Sequence, residues 1–127
     1  MIPEPAILHI PHRTARAGVA MGEVARLDAI AAQLMDVQRH WNTPDHEQRL
    51  AQALQASRTV WHAIQTALAE GTLDLPAEVQ HNLLILSVYA DSKIDLCEAT
   101  PSNDLLGSLI ALTRTLAGSL KEWRVAA

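Results

Sequence analysis

The sequence predicts an all-α protein, a mostly antiparallel bundle of about four helices, on three observations. Ala and Leu, both strong helix formers, dominate a 127-residue chain that contains three Trp, one Tyr and no Phe. Four segments repeat apolar residues at spacings of three and four. The connections between these segments are short, which favours antiparallel packing of neighbouring helices.

Length and composition indicate one folded domain that does not bind nucleic acid directly. Apolar residues make up 49% of the chain, enough to bury a continuous core, so intrinsic disorder is excluded. The formal net charge is −4, and the ten Lys and Arg residues are scattered. A nucleic-acid module needs a basic face, so we expect no direct nucleic-acid partner.

The expected compartment is the cytoplasm. A single Cys excludes a disulfide framework within the monomer. The start of the chain is acidic and interrupted by proline, unlike a signal peptide. No apolar run approaches the roughly 20 residues that cross a bilayer, so we expect no membrane span.

The beginning of the chain predicts an arm followed by a helix. Three prolines within residues 1–13 fix the backbone and remove N–H donors, which predicts an extended or disordered arm there. One helical-bundle domain then covers residues 14–127, and its first helix spans about residues 14–41. Gly18 and Gly22 weaken the start of that helix, where we expect the backbone to be either frayed or tightly packed. Its apolar face comprises Val24, Leu27, Ala31, Leu34, Gln38 and Trp41, with Ile30 and Val37 alongside.

The second helix spans about residues 44–70. Thr43 is predicted to cap it, Pro44 suits its first position, and Gly71 supplies its stop. Its amphipathic stripe comprises Leu50, Leu54, Ser57, Trp61, Ile64 and Leu68.

The third and fourth helices span about residues 76–98 and 104–123. The third is apolar nearly all round, which predicts that it is the central and most buried helix. One face comprises Val79, Leu83, Leu86, Ala90, Ile94 and Cys97, and Leu84, Ile85, Val88 and Tyr89 lie outside it. The stripe of the fourth helix comprises Leu105, Leu109, Leu112, Leu116, Leu120 and Trp123.

No residue pattern predicts a metal site or a cofactor. His9 and His12, and His46 with Asp45, are too few ligands for a zinc site, so surface histidines are the favoured interpretation. Cys97 lies in the apolar register of its helix among acidic neighbours, which favours a structural cysteine over a nucleophile.

Three carboxylates form the one candidate acid–base cluster. Asp91, Asp95 and Glu98 share an edge of the third helix at spacings of four and three. A solvated helix face is the favoured alternative, and we expect no enzymatic activity. An enzyme would instead show a deep polar pocket and a carboxyl group with a raised pKa.

Arg58 and Trp61 are candidate partner contacts. They lie three residues apart on one side of the second helix, and Arg and Trp dominate interface hot spots. The alternative places Trp61 in the core with Arg58 covering its edge. Arg114 is a third candidate contact, or an ion-pair partner of Glu78 or another acid within the bundle.

Three segments carry a family resemblance. They read ALQASRTVW at residues 53–61, LPAEVQHNLLILSVY at residues 75–89 and LIALTRTLAGSL at residues 109–120. In this order and spacing they resemble the flagellar biosynthesis regulator FlaF family of alphaproteobacteria, over about residues 47–121.

The resemblance implies a non-enzymatic role in flagellum assembly. Members of the family couple flagellin synthesis and secretion to filament growth, and are thought to bind flagellin in the cytoplasm. It therefore implies flagellin, through its terminal helices, as a partner, with the translational regulator FlbT as a further candidate. The alternative function is a general helical interaction module, such as a homodimer, unrelated to flagella.

Overall fold

The computed structural model describes the backbone of residues 4–126 and the side chains of residues 22–122, and four α-helices make up nearly all of this range. The helices are α1 (Glu4–Arg39), α2 (His46–Glu70), α3 (Ala77–Ala99) and α4 (Asn103–Ala126). No strand occurs in the described backbone. The predicted all-α bundle of four helices is therefore confirmed.

The helices form a closed ring of antiparallel neighbours. Each helix packs against the next along the chain, and α1 packs against α4 to close the ring. Arg58 of α2 pairs with Asp95 of α3, whereas Gln65 reaches Ser87, so residue numbers rise on α2 as they fall on α3. Among the described residues, the diagonal pairs α1–α3 and α2–α4 make no close backbone approach.

The core lies along the axis of this ring. Its largest fully enclosed side chain is Trp61, which contributes to one continuous apolar cluster with residues from all four helices. Most of the predicted stripe of α2 is buried as expected, with Ala53, Val60 and Ala67 added to it. An added Cβ at Gly22 or Gly118 would meet open space, so neither glycine marks a close helix contact.

The start of α1 differs from the sequence prediction. The helix begins at Glu4, where an extended or disordered arm was predicted up to residue 13. Pro5 lies in the first turn of α1, where a backbone N–H has no intrahelical partner and proline costs little. The structure does not describe the side chains of His9, His12 and Trp123, or the surroundings of Gly18.

The helix ends are set by local hydrogen bonds. Asp45, rather than the predicted Thr43, is the residue before α2, and the Thr43 hydroxyl instead lies 2.8 Å from the carbonyl oxygen of His40. Gly71 ends α2 as predicted, with a φ of 69° that an L side chain rarely adopts. The Ser102 hydroxyl accepts hydrogen bonds from the backbone N–H groups of Asp104 and Leu105, and so caps α4.

The third helix is not the central, most buried helix that its apolar composition predicted. It buries a narrow stripe that consists of Leu83, Ser87, Ala90, Ile94 and Cys97. Five further large apolar residues of α3 are exposed, because in a ring of four helices each helix has only two neighbours. None of the described helices combines the length and hydropathy that a membrane crossing requires.

A pair of alanine substitutions on α3 tests which side faces the core. Ile94 is fully buried and Leu96 is 52% exposed, although they lie two residues apart. Ile94→Ala should lower the free energy of unfolding by roughly 2–5 kcal/mol, because it leaves a cavity in the core. Leu96→Ala should cost less than about 1 kcal/mol. Urea unfolding followed by circular dichroism measures both values, and similar losses would contradict the orientation of α3.

Candidate functional site

The side of α3 that points away from the bundle carries exposed apolar side chains, which together we call the outward face. Its residues are Leu84, Ile85, Val88, Tyr89 and Leu96. Between 44% and 60% of the surface of each residue is exposed. Spacings of three and four residues place Leu84, Ile85, Val88 and Tyr89 on adjacent turns of one side of the helix. Leu96 lies on the same side two turns further on, beyond the exposed Ser92. Contiguous exposed apolar surface of this kind typically marks an interaction site.

One edge of the outward face adjoins α2 through charged side chains. The Arg58 guanidinium donates to Asp95 at 2.9 Å and also to Glu98. Both Asp95 and Arg58 retain access to solvent. The hydrogen bond to Asp95 raises the pKa of Arg58 above its ordinary value, so this guanidinium stays charged.

A second group of polar contacts between α2 and α3 lies one to two turns further along α2. We call the whole line of contacts between these two helices the α2–α3 seam. Gln65 Nε2 donates to Asp91 at 3.0 Å and to Ser87 at 3.2 Å. His62 Nε2 lies 3.2 Å from the Asp91 carboxylate. Each of the three carboxylates predicted as an acid–base cluster therefore faces a polar side chain of α2.

The structure places the three predicted contact residues in three different environments. Trp61 has no exposed surface, and its indole Nε1 has no hydrogen-bond partner among the described residues. Arg58 covers the α2–α3 seam, with 23% of its side chain exposed. This arrangement matches the alternative in which Trp61 belongs to the core.

Arg114 is exposed and lies on the far side of the bundle from Arg58. It is seven residues from Gly107, which lies beside Gln38 of α1, and seven from Lys121, which pairs with Asp28 of α1 at 2.9 Å. Because a spacing of seven returns to the same side of a helix, Arg114 follows the α1–α4 edge. Among the described side chains Arg114 forms no ion pair, with Glu78 or any other acid. The structure therefore does not bring Arg58 and Arg114 together.

The sequence reasoning missed the outward face as a binding candidate, although it detected the residues. Leu84, Ile85, Val88 and Tyr89 were recognised as apolar positions outside the main stripe and assigned to the core. The signal that could have identified them was the presence of two apolar stripes on one helix. A helix with one inner side in a four-helix ring can bury only one of the two.

One buried carboxyl group lies apart from the three carboxylates. Burial raises the pKa of Glu23 on α1, and Arg26 beside it opposes that effect only in part. Glu23 is 5% exposed, and α1 makes no close approach to α3 among the described residues. Glu23 therefore does not belong to the cluster of Asp91, Asp95 and Glu98.

Further polar and concave features include a ring contact and a cleft. Within residues 22–122, no group of three His, Cys, Asp or Glu is placed to hold a metal ion. The His46 ring packs against Trp41, with a centroid separation of 5.0 Å. Cys97 is buried on the inner stripe, beside a cleft of about 380 Å³ between the start of α2 and the end of α3.

Comparison with known families gives one match. A family model described as flagellar protein FlaF matches residues 13–120, which include the whole of α2 and α3 and most of α1 and α4. No curated protein and no solved structure matches the chain significantly.

Removing the Arg58 ion pairs should loosen the α2–α3 seam. Arg58→Met keeps the aliphatic stem but removes the guanidinium, and should lower the free energy of unfolding by about 0.5–1 kcal/mol at low salt. The loss should shrink at high salt, because partly exposed ion pairs are screened. Arg114→Met is the matched control, measured in the same urea titrations, and an equal loss in both variants would contradict the bridging role.

The buried carboxyl of Glu23 should make stability depend on pH. Its raised pKa means that the native state binds the proton more tightly than the unfolded chain. Stability should therefore fall as pH rises above 4.5, its ordinary pKa, through the raised value. Glu23→Gln removes this loss and should raise the melting temperature at neutral pH, with no gain below pH 4.5. The exposed Glu47 provides the control Glu47→Gln, and a pH-independent gain for Glu23→Gln would refute this assignment.

Proposed function

Because this chain belongs to the FlaF family of flagellar proteins, we propose that it regulates flagellum assembly by binding flagellin in the cytoplasm and coupling flagellin synthesis to secretion. The family match over residues 13–120 is the observation that carries this proposal. The match includes the whole of α2 and α3, and therefore the outward face and the seam beside it.

The structure supports a binding role because it leaves apolar side chains in water. The terminal segments of flagellin are amphipathic helices that are disordered before polymerisation, and the bundle offers such a segment an apolar helix surface. Ordering the segment costs conformational entropy, which moderates the affinity. Moderate affinity suits a protein that must release its client for secretion.

The three residues predicted as contacts take different places in this proposal. Arg58 and Arg114 reach the surface, and each could contribute a charge to a partner contact. Trp61 is enclosed and contributes through the packing that holds α2 in place. The regulator FlbT is a second proposed partner, and adding it to a flagellin complex would show whether the two compete.

A homodimeric interaction module unrelated to flagella is the second candidate function. The observation that favours it is the same exposed apolar surface, which a second copy of the chain could cover. Sedimentation at increasing protein concentration separates the two functions, because a stable dimer that covers this surface would leave it unavailable to flagellin.

Titration with the cognate monomeric flagellin tests the proposal. Calorimetry at tens of micromolar protein should show saturable heat, and the two proteins should co-elute in gel filtration, as expected for a dissociation constant of about micromolar or tighter. A flagellin lacking both terminal segments is the matched control and should give no heat. Absence of heat and of co-elution with intact flagellin would overturn the proposed function.

A further inference from the structure

We infer that the outward face of α3 docks one amphipathic helix of flagellin. Basic side chains of that helix lie along the edge of the outward face next to α2, where they cover Asp95. This inference rests on the proposed function, since it assigns flagellin binding to a surface and a chemistry. The outward face itself includes none of the three contact residues predicted from the sequence, and Arg58 lies at its edge.

The first step is geometric. Successive residues of an α-helix are rotated by about 100°, so the inner stripe and the outward face of α3 lie on opposite sides of the helix axis. The inner stripe includes Leu83, Ala90 and Ile94, and the outward face includes Val88 and Tyr89, both 60% exposed. α3 is therefore an apolar helix that is packed on one side and uncovered on the other.

The second step concerns the size of the surface. The outward face runs from Leu84 to Leu96, which is about 18 Å at 1.5 Å per residue, and its width is that of one helix. A stable protein dimer typically buries about 800 Å² on each partner, more than this single-helix strip offers. A strip of three to four turns matches the apolar stripe of one amphipathic helix.

The third step concerns charge along the edge next to α2. Three carboxylates line it, those of Asp91, Asp95 and Glu98, and the guanidinium of Arg58 is shared by two of them. The Asp95 side chain is 67% exposed, so its carboxylate can accept a further hydrogen bond from outside the bundle. A docked helix with Lys or Arg at this edge would balance the excess negative charge.

The same edge disfavours an antiparallel pair of α3 helices from two copies of the chain. In such a pair, the two-fold axis places each edge of one helix against the same edge of the other. The carboxylate edges of the two copies would then lie along the same side of the pair, so their excess negative charge would add up there and oppose association. A partner of different sequence avoids this repulsion.

Tyr89 provides a direct probe because it is the one tyrosine of the chain. Incorporating 3-fluorotyrosine gives a single ¹⁹F resonance on the outward face. Adding the cognate monomeric flagellin should shift or broaden this resonance, whereas diluting the protein alone should leave it unchanged. Raising the salt concentration should weaken flagellin binding, because the edge carboxylates contribute to it.

Val88→Asp tests the surface by substitution, with Ala111→Asp on the exposed side of α4 as the matched control. Val88→Asp should weaken flagellin binding at least about tenfold, since it places a charge in the apolar contact, whereas Ala111→Asp should leave the affinity unchanged. Circular dichroism and thermal unfolding of both variants establish that the bundle is intact.

The possible outcomes separate this inference from the proposed function. If wild-type protein binds flagellin and Val88→Asp binds equally well with the ¹⁹F resonance unmoved, the outward face is not the site although the function stands. If wild-type protein does not bind flagellin, both fall. If the wild type sediments as a dimer that Val88→Asp converts to a monomer, a second copy occupies the face and the inference is wrong.

Discussion

The rest of the structure depends on which of the two apolar sides of α3 points into the bundle, and the ion pairs between α2 and α3 favour the observed orientation. Rotating α3 by half a turn would exchange one apolar stripe for the other. It would also carry Asp95 and Glu98 from the side of α2 to the side of α4, away from the Arg58 guanidinium. Partly exposed ion pairs are worth only about 0.5–1 kcal/mol, so they add to the preference that the packing of the inner side chains sets.

The side chains that α3 turns inward are mostly small, and this has a consequence for the surface. Ser87, Ala90 and Cys97 allow the neighbouring helices to approach closely, while Leu83 and Ile94 fill the remaining space. The larger residues Val88 and Tyr89 then have no room inside and remain in water. An exposed apolar surface is thus built into the packing of this helix, and a binding function can use it.

Recognition of a partner, as proposed for this bundle, would depend on exposed apolar area and on charge. The carboxylates that were a candidate acid–base cluster contact Arg58, His62 and Gln65 of α2. Their arrangement stabilises the packing of two helices and leaves the carboxylate of Asp95 largely accessible. This is consistent with membership of a flagellar protein family rather than an enzyme family.

The amino-acid sequence by itself determined the helical class, the approximate extent of α2, α3 and α4, the stop at Gly71 and the family. Each of these depends on local spacing, on backbone freedom or on a sequence pattern. Only the tertiary structure decided that Trp61 is enclosed, that Arg58 and Arg114 lie on opposite seams, and that Val88 and Tyr89 face water. Periodicity shows that a side of a helix is apolar, but the number and position of neighbouring helices decide whether that side is covered.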